Sequence, residues 1–151
     1  MHLPHIVPFD KSPVYFFTAC IEGRHPVLAC QPAFDELSGI WTRSTVHDGW
    51  LVGRFVIMPD HVHFFATPAR EAKPRSEWHK MWKSVSSRRL MREFKLKPPV
   101  WQADTFDHIL RNGKSYEEKW RYVRDNPVRQ GLVANSSEWP WQGEINAIRL
   151  S

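Results

Sequence analysis

The sequence has few cysteines and no long apolar run, and each shortage excludes a class of protein. Its 151 residues include two cysteines, Cys20 and Cys30, whose spacing matches neither a disulfide framework nor a zinc signature. We therefore expect two buried thiols. No segment approaches the ~20 apolar residues of a membrane span, and the first ten residues lack the basic and apolar regions of a signal peptide. The sequence thus favours a cytoplasmic protein with no membrane partner.

A single domain is the expected organisation. Hydrophobic residues make up 42% of the chain, enough for a core and too many for a disordered segment. Residues 1–13 are rich in proline and histidine and show no periodicity, which predicts an extended N-terminal arm. Residues 14–151 show no repeat and no boundary, so we assign them to one domain.

Positive charge is concentrated in one segment. The net charge is +5, and residues 70–97 hold ten lysines and arginines against three acidic residues, a local net of +7. A basic segment of this kind is typical of a protein that binds a polyanion, although it can also be only the solvated face of a helix. The eight tryptophans are expected mostly in the core, with any exposed ones available to stack on unpaired bases.

The pattern of apolar residues predicts the order β-α-β-β-α-β-α. Strands are favoured where β-branched and aromatic residues cluster between turns, and helices where apolar residues recur every three or four positions. The first six elements correspond to a ferredoxin-like split β-α-β fold of the α+β class, with a four-stranded antiparallel sheet. A further C-terminal helix, N-capped by Ser115, ends before Pro127. The strands are expected at residues 14–21, 50–58, 61–67 and 100–110, and the helices at residues 32–47, 76–94 and 115–126.

His61 and His63 are the first candidates for chemistry. Residues two apart in a strand point to the same side, so two imidazoles on this strand can share one ion. Satisfied surface histidines are the alternative interpretation. The apolar flanks FVIM and FFAT favour metal binding, because a buried strand has little reason to present two polar rings without a partner. A structural zinc site is disfavoured, because it needs four closed ligands.

Tyr122 and Asn126 are the second pair, and their spacing places them on one face of the predicted helix. A tyrosine can act as a covalent nucleophile, but a phenol needs activation near neutral pH. A metal that also holds the phosphate would polarise the phosphoryl oxygen and stabilise the departing 3′ oxygen. The Asn126 carbonyl offers a third ligand. Simple packing of the tyrosine is the alternative.

Three motifs together resemble one family. PDHVHFF, WQADTFDHILRN and above all YVRDNPVRQGLV look like the REP-associated tyrosine transposases. These are relatives of the single-tyrosine, HUH-type transposases of small insertion sequences. The resemblance extends over residues 14–141, including the tryptophans that flank Pro140.

The resemblance implies a role for each residue of the two pairs. His61 and His63 would be the histidine ligands, Tyr122 the nucleophile and Asn126 the polar residue that completes the metal site. The ion would be Mg²⁺ or Mn²⁺, and imidazole ligands do not decide between them. The family cuts single-stranded DNA beside hairpins of repetitive extragenic palindromes (REP hairpins), forming a 5′-phosphotyrosine and a free 3′-OH. Its members suggest a monomer here, with a dimer as the alternative.

Further residues receive weaker assignments. Asp107 and His108 occupy the acidic-histidine position of the family's fourth-strand motif, where they would orient a ligand or touch DNA. Tyr116 is expected in packing or DNA contact. The predicted basic helix would contact DNA phosphates. Its candidate residues are Lys83, Arg88, Arg89 and Arg92.

Three rival functions share some features with this sequence. A non-catalytic nucleic-acid binder on the same fold is the main alternative, although the glycine-rich RNP1 pattern of an RRM is absent. A histidine-pair phosphodiesterase is disfavoured, because it needs two His-x-Ser/Thr motifs and the chain has none. A catalytically silent relative is disfavoured by the intact set of His61, His63, Tyr122 and Asn126.

Overall fold

The computed structural model describes residues 6–7 and 13–150. Most of the arm predicted for residues 1–13 therefore lies outside the described residues. Within it, strand β1 (Ile6–Val7) pairs in parallel with strand β7 (Ala147–Ile148) near the other end of the chain. The carbonyl of Pro13 accepts a 2.7 Å hydrogen bond from the Thr67 hydroxyl, which ties the start of the domain to the sheet.

The main sheet has five strands in the order β5-β2-β4-β3-β6, and every neighbouring pair is antiparallel. The strands are β2 (Val14–Cys20), β3 (Trp50–Ile57), β4 (His61–Pro68), β5 (Phe106–Leu110) and β6 (Gln142–Glu144). Strands β2 to β5 confirm the predicted ferredoxin-like split β-α-β arrangement. The fifth strand was not predicted. It forms because the C-terminal tail pairs with the edge of β3 that a four-stranded sheet leaves open.

Four helices accompany the sheet within residues 13–150. They are α1 (Gln31–His47), α2 (Arg75–Phe94), α3 (Gly113–Arg124) and α4 (Asn126–Arg129), with short 3-10 turns at Glu22–Arg24 and Ser136–Glu138. None of the helices in the described part of the chain combines the length and the apolar character needed to cross a bilayer.

The sheet separates two cores, because successive side chains of a strand point to opposite faces. On the face covered by α1 and α2, Phe17 and Phe64 pack with fully buried tryptophans. On the other face, Phe16 and Phe65 pack under α3 and the C-terminal tail. We call the second face the α3 face. The histidine pair of β4 alternates with Val62 and Phe64, and so belongs to the α3 face.

Strand β5 is shorter than the predicted strand at residues 100–110. Its first half is irregular, with a single bridge between Trp101 and Ile21. The Lys83 ammonium donates to the carbonyls of Gln102 and Ala103 at 3.0 and 3.3 Å. These two carbonyls therefore accept hydrogen bonds from a side chain of helix α2 and not from a neighbouring strand. Regular strand pairing of β5 begins only at Phe106.

The predicted helix at residues 115–126 is two helices. Its N-cap is Asn112 and not Ser115, since the Asn112 side chain accepts from the Ser115 amide at 2.9 Å. Helix α3 ends at Arg124, and α4 begins at Asn126 with Pro127 in its first turn. Proline has no N–H and cannot extend the preceding helix. Tyr122 and Asn126 therefore lie in consecutive helices and not on one helix face.

Candidate metal and nucleic-acid site

The two histidines of β4 converge on one point. Their Nε2 atoms lie 3.1 Å apart, and their rings meet edge to face with centroids 4.7 Å apart. The turn at residues 59–60 starts β4 at His61, so the pair stands at the end of two central strands. The strand pairing, and not a loop, fixes both side chains.

The other ring nitrogen of each histidine is already bound. His61 Nδ1 lies 2.7 Å from a carboxylate oxygen of Asp60, and His63 Nδ1 lies 2.8 Å from the hydroxyl of Thr18. When Nδ1–H donates to such an acceptor, Nε2 keeps its lone pair and faces outward, which is the tautomer that binds a metal. Asp60 and Thr18 therefore orient the two imidazoles.

The charge states of these groups suit ion binding. Burial, and then Coulombic repulsion from His61, Lys119 and Arg129, lower the pKa of His63 to about 3, so its ring is neutral near pH 7. Burial alone would raise the pKa of Asp60, but hydrogen bonds from Arg24 and His61 outweigh it and lower that pKa. Neutral imidazole is the form that ligates a metal, and the ionised Asp60 strengthens His61 as a donor.

Asn126 supplies the third polar group at this point. Its amide nitrogen lies 3.3 Å from Nε2 of His63, so the start of α4 meets the start of β4. A half-turn of the side chain exchanges the amide nitrogen and oxygen, and a metal requires the oxygen to face the ion. Two ligands at right angles, each about 2.1 Å from an octahedral ion, are about 3 Å apart. The spacing of the two Nε2 atoms thus fits adjacent ligands of one ion.

The ligand set contains few charged groups. Within residues 13–150, no cluster of three or more His, Cys, Asp or Glu side chains is placed to hold an ion. A site here would use His61, His63 and the Asn126 amide, all of them neutral. Such a set leaves the positive charge of a divalent ion uncompensated and several coordination positions free, which suits the binding of a phosphate.

Tyr122 lies one turn before Asn126 and is 64% exposed. The Arg129 guanidinium stacks on its ring, with Cζ 3.8 Å from the centroid, and donates to the Tyr122 carbonyl at 2.6 Å. Among the described residues, no hydrogen bond joins the Tyr122 hydroxyl to His61, His63 or Asn126. Tyr122 is therefore an exposed residue one turn from Asn126, and its hydroxyl is not hydrogen-bonded to the candidate metal ligands.

Asp107 and His108 lie on opposite faces of β5. Asp107 pairs in register with Phe17 on the face covered by α1 and α2, where Arg75 binds its carboxylate at 3.1 Å. It cannot orient the histidines, and Asp60 and Thr18 do so instead. His108 pairs in register with Phe16 on the α3 face. It is exposed, one strand further from the site.

The basic helix α2 covers the opposite face of the sheet from the histidine pair. Arg88 and Arg92 are exposed there, and Arg89 lies 3.6 Å from the Glu36 carboxylate. Lys83, the fourth candidate for a DNA contact, differs from these arginines. Only 9% of Lys83 is exposed, and burial lowers the pKa of its ammonium. Because its ammonium donates to two backbone carbonyls, Lys83 stabilises the fold and is poorly placed to reach a DNA phosphate.

A different set of cations surrounds the histidine pair. Arg24, Lys119 and Arg129 act electrostatically on His63, and the Lys119 ammonium lies 5.2 Å from the centroid of the Phe16 ring. None of the three was predicted from the sequence. The sequence did indicate two of them in part. Lys119 is three residues before Tyr122 and Arg129 is three residues after Asn126, and residues three apart lie on one face of a helix.

Comparison with known proteins decides the family. Residues 12–126 match the family model described as "Transposase IS200 like". This chain belongs to the IS200-like transposase family. The matched segment includes His61, His63, Tyr122 and Asn126, and so covers both halves of the candidate site.

The relatives of this IS200-like transposase confirm the predicted resemblance. The chain is 28% identical over 134 residues to the REP-associated tyrosine transposase of Escherichia coli (strain K12), covering 88% of this chain and 77% of that protein. It also superposes on a solved structure of a REP-associated tyrosine transposase bound to a REP hairpin. That match has a TM-score of 0.67 and 24% identity, covering 86% of this chain and 75% of the other, and shows the shared fold.

Proposed function

We propose that this protein cleaves and rejoins single-stranded DNA beside a REP-type hairpin, with Tyr122 as the nucleophile and a divalent metal held by His61, His63 and Asn126. One observation carries the proposal. Asn126, one turn beyond the tyrosine, meets His63 at 3.3 Å, and the Nε2 atoms of the two histidines lie 3.1 Å apart. Three groups suited to one ion thus converge next to an exposed phenol.

The proposed reaction exchanges one phosphate ester for another. The phenolic oxygen of Tyr122 gives up its proton and attacks phosphorus, forming a 5′-phosphotyrosine bond. The bond from phosphorus to the 3′ oxygen breaks, and that oxygen takes up a proton to become a free 3′-OH. Attack of a 3′-OH on the phosphotyrosine reverses the step, rejoins DNA and releases the tyrosine.

A bound Mg²⁺ or Mn²⁺ would polarise the phosphoryl oxygen and stabilise charge on the departing 3′ oxygen. The chain's own residues do the rest. Asp60 and Thr18 hold the imidazoles with Nε2 outward. Lys119 and Arg129 attract the DNA phosphate to this face of the sheet.

The DNA partner is proposed to be a hairpin with unpaired flanks. The superposed relative is a protein bound to a REP hairpin. In this chain, Arg88 and Arg92 are the exposed cations proposed to contact the duplex backbone, with Arg89 free to join them if its pair with Glu36 opens. Phosphate contacts of this kind position DNA without reading its sequence. We further propose a cytoplasmic monomer, which light scattering would distinguish from a dimer.

The test is metal-dependent formation of a covalent protein–DNA adduct. A panel of REP-type hairpins with single-stranded flanks is incubated with the protein in Mn²⁺, in Mg²⁺ or in EDTA, and resolved on a denaturing gel. We expect a slow-migrating adduct with metal and none with EDTA. His63→Ala abolishes it, whereas His47→Ala, an exposed histidine at the end of α1, leaves it unchanged. Hairpin binding without any adduct would favour the non-catalytic alternative.

A further inference from the structure

Phe106 is a large apolar side chain left in water beside the site. It begins β5, the strand at the free edge of the main sheet, and 63% of it is exposed. No turn or cap requires a phenylalanine there. An exposed aromatic ring at a sheet edge is an unfavourable use of apolar surface unless something covers it.

The pairing register places Phe106 in line with His63 of the histidine pair. Phe106 pairs with Thr18 across β5 and β2, and Thr18 pairs with His63 across β2 and β4. The three side chains therefore form one row on the α3 face, in which the Thr18 hydroxyl binds His63 at 2.8 Å. Two strand spacings separate the ends of the row, roughly 10 Å between backbones.

The next row on this face is aromatic as well. His108 pairs with Phe16, and the Phe16 ring stacks on His63 with centroids 5.4 Å apart and planes inclined at 21°. The aromatic side chains between the sheet edge and His63 are thus Phe106, His108 and the largely covered Phe16 ring. These flat rings are similar in size to nucleotide bases. They lie close to the point where the proposed metal would hold a phosphate.

Positive charge adjoins this aromatic surface. The Lys119 ammonium lies 5.2 Å from the centroid of the Phe16 ring, and Arg24 and Arg129 lie close enough to act on His63. Aromatic side chains combined with a cationic groove are the arrangement that binds unpaired nucleic acid, because bases stack on the rings while the backbone follows the charge. An acidic protein partner would need no flat stacking surface.

We propose that Phe106 is the base-stacking platform for unpaired DNA next to the phosphate at His61 and His63, with His108 extending it. The platform rests on the proposed function, because the strand that would bind it is the DNA strand that Tyr122 is proposed to cleave. A base seated on Phe106 fixes the register of the strand relative to Tyr122. The DNA then leaves the site over the β5 edge, towards the face that carries helix α2.

The experiment measures binding of single-stranded oligo(dT) that carries one 2-aminopurine, in a Tyr122→Phe background that prevents cleavage. Affinity comes from fluorescence anisotropy of a labelled strand, and base stacking from 2-aminopurine emission. Loss of one stacking contact costs about tenfold in affinity. We expect that loss for Phe106→Ala, with recovery for Phe106→Trp.

Ile109→Ala is the matched control. Ile109 is 39% exposed and lies on the same strand, but it pairs with Tyr15 on the opposite face. We expect this variant to bind oligo(dT) like the parent, and Phe106→Ala to bind a blunt hairpin without flanks like the parent. Unchanged oligo(dT) binding by Phe106→Ala, or an equal loss on the blunt hairpin, would overturn the platform.

The outcome is separable from that of the proposed function. If wild-type protein forms the metal-dependent adduct and Phe106→Ala binds oligo(dT) normally, the platform is wrong and the function stands. If no adduct forms on any hairpin while Phe106→Ala loses oligo(dT) binding and Phe106→Trp restores it, the surface binds single strands and the cleavage proposal fails.

Discussion

A carboxylate oxygen of Asp60 lies 2.7 Å from Nδ1 of His61, and this contact fixes the direction in which the neighbouring imidazole presents its free nitrogen. The same carboxylate binds Arg24 Nε at 2.9 Å through its other oxygen. Asp60 is thereby held in place from both sides. A turn residue therefore acts as the support of the proposed metal ligand.

Removal of this support should weaken metal binding more than it weakens DNA binding. For Asp60→Ala, we expect the Mn²⁺ concentration for half-maximal adduct formation to rise about 10- to 100-fold, since residues that orient a ligand contribute that much to affinity. Saturating Mn²⁺ should restore most of the rate, and Asp60→Asn should be intermediate. A loss of activity that excess Mn²⁺ does not recover would contradict a ligand-orienting role.

Arg129 is predicted to position the nucleophile. Its guanidinium stacks on the Tyr122 ring and donates to the Tyr122 carbonyl. An exposed contact of this kind is worth about 1 kcal/mol, so Arg129→Ala should slow single-turnover adduct formation about fivefold. Arg129→Lys keeps the charge without the planar stack and should recover only part of the rate. Arg121→Ala, which removes an exposed arginine of α3, is the control and should react normally.

Lys83 and Arg88 are predicted to affect different properties. Lys83→Met leaves two backbone carbonyls without their donor, and should lower the free energy of unfolding by about 1–3 kcal/mol in urea titrations. The salt dependence of hairpin binding should not change. Arg88→Ala should do the reverse, reducing the salt slope by about 1 while altering stability by less than about 0.5 kcal/mol. A reduced slope for Lys83→Met would show that its ammonium reaches DNA.

His79 is predicted to make the fold sensitive to acid. Burial, and then the charges of Lys83 and Arg75, lower its pKa to about 3, and Trp82 donates to its Nδ1 at 2.9 Å. Between about pH 6.5 and this value the unfolded chain takes up a proton that the folded chain does not. Stability should therefore fall as the pH falls through this range.

The contribution of His79 can be isolated with His79→Gln, whose amide oxygen can still accept from Trp82. As the pH is lowered, the free energy of unfolding of His79→Gln should fall less steeply than that of the parent. The difference in slope should be up to about 1.4 kcal/mol per pH unit. Denaturant titrations at several pH values between 3.5 and 7 give the two slopes. Equal slopes would mean that folding does not lower the pKa of His79.

The parts of the site that follow from short-range spacing were predictable. His61 and His63 share a strand face because side chains alternate. The expectation that Tyr122 and Asn126 share one helix face was wrong, because α3 ends at Arg124 and Asn126 begins α4. Thr18 was not predictable, because only the register of β2 against β4 places it opposite His63. Asp60 has a position in the sequence that indicates only a turn, and its contact with His61 depends on the side-chain conformation.

The errors share a physical origin in tertiary contacts. The periodicity of α2 did not reveal that Lys83 would be buried by residues 102–103, and those same contacts shorten β5. The break before Pro127 was expected, but a second short helix after it was not, and this helix carries Asn126. The high positive charge of residues 70–97 predicted DNA contacts on α2, whereas the cations near the histidines come from three separate segments.

The central claim is that Tyr122 becomes linked to DNA. The chain has three tyrosines, Tyr15, Tyr116 and Tyr122, so protease digestion of the adduct and mass spectrometry of the nucleotide-bearing peptide can assign the link. We predict a phosphodiester-linked nucleotide on Tyr122, no adduct with Tyr122→Phe, and a normal adduct with Tyr116→Phe, since Tyr116 is buried. A link on any other residue, or an adduct that persists in Tyr122→Phe, would contradict the account.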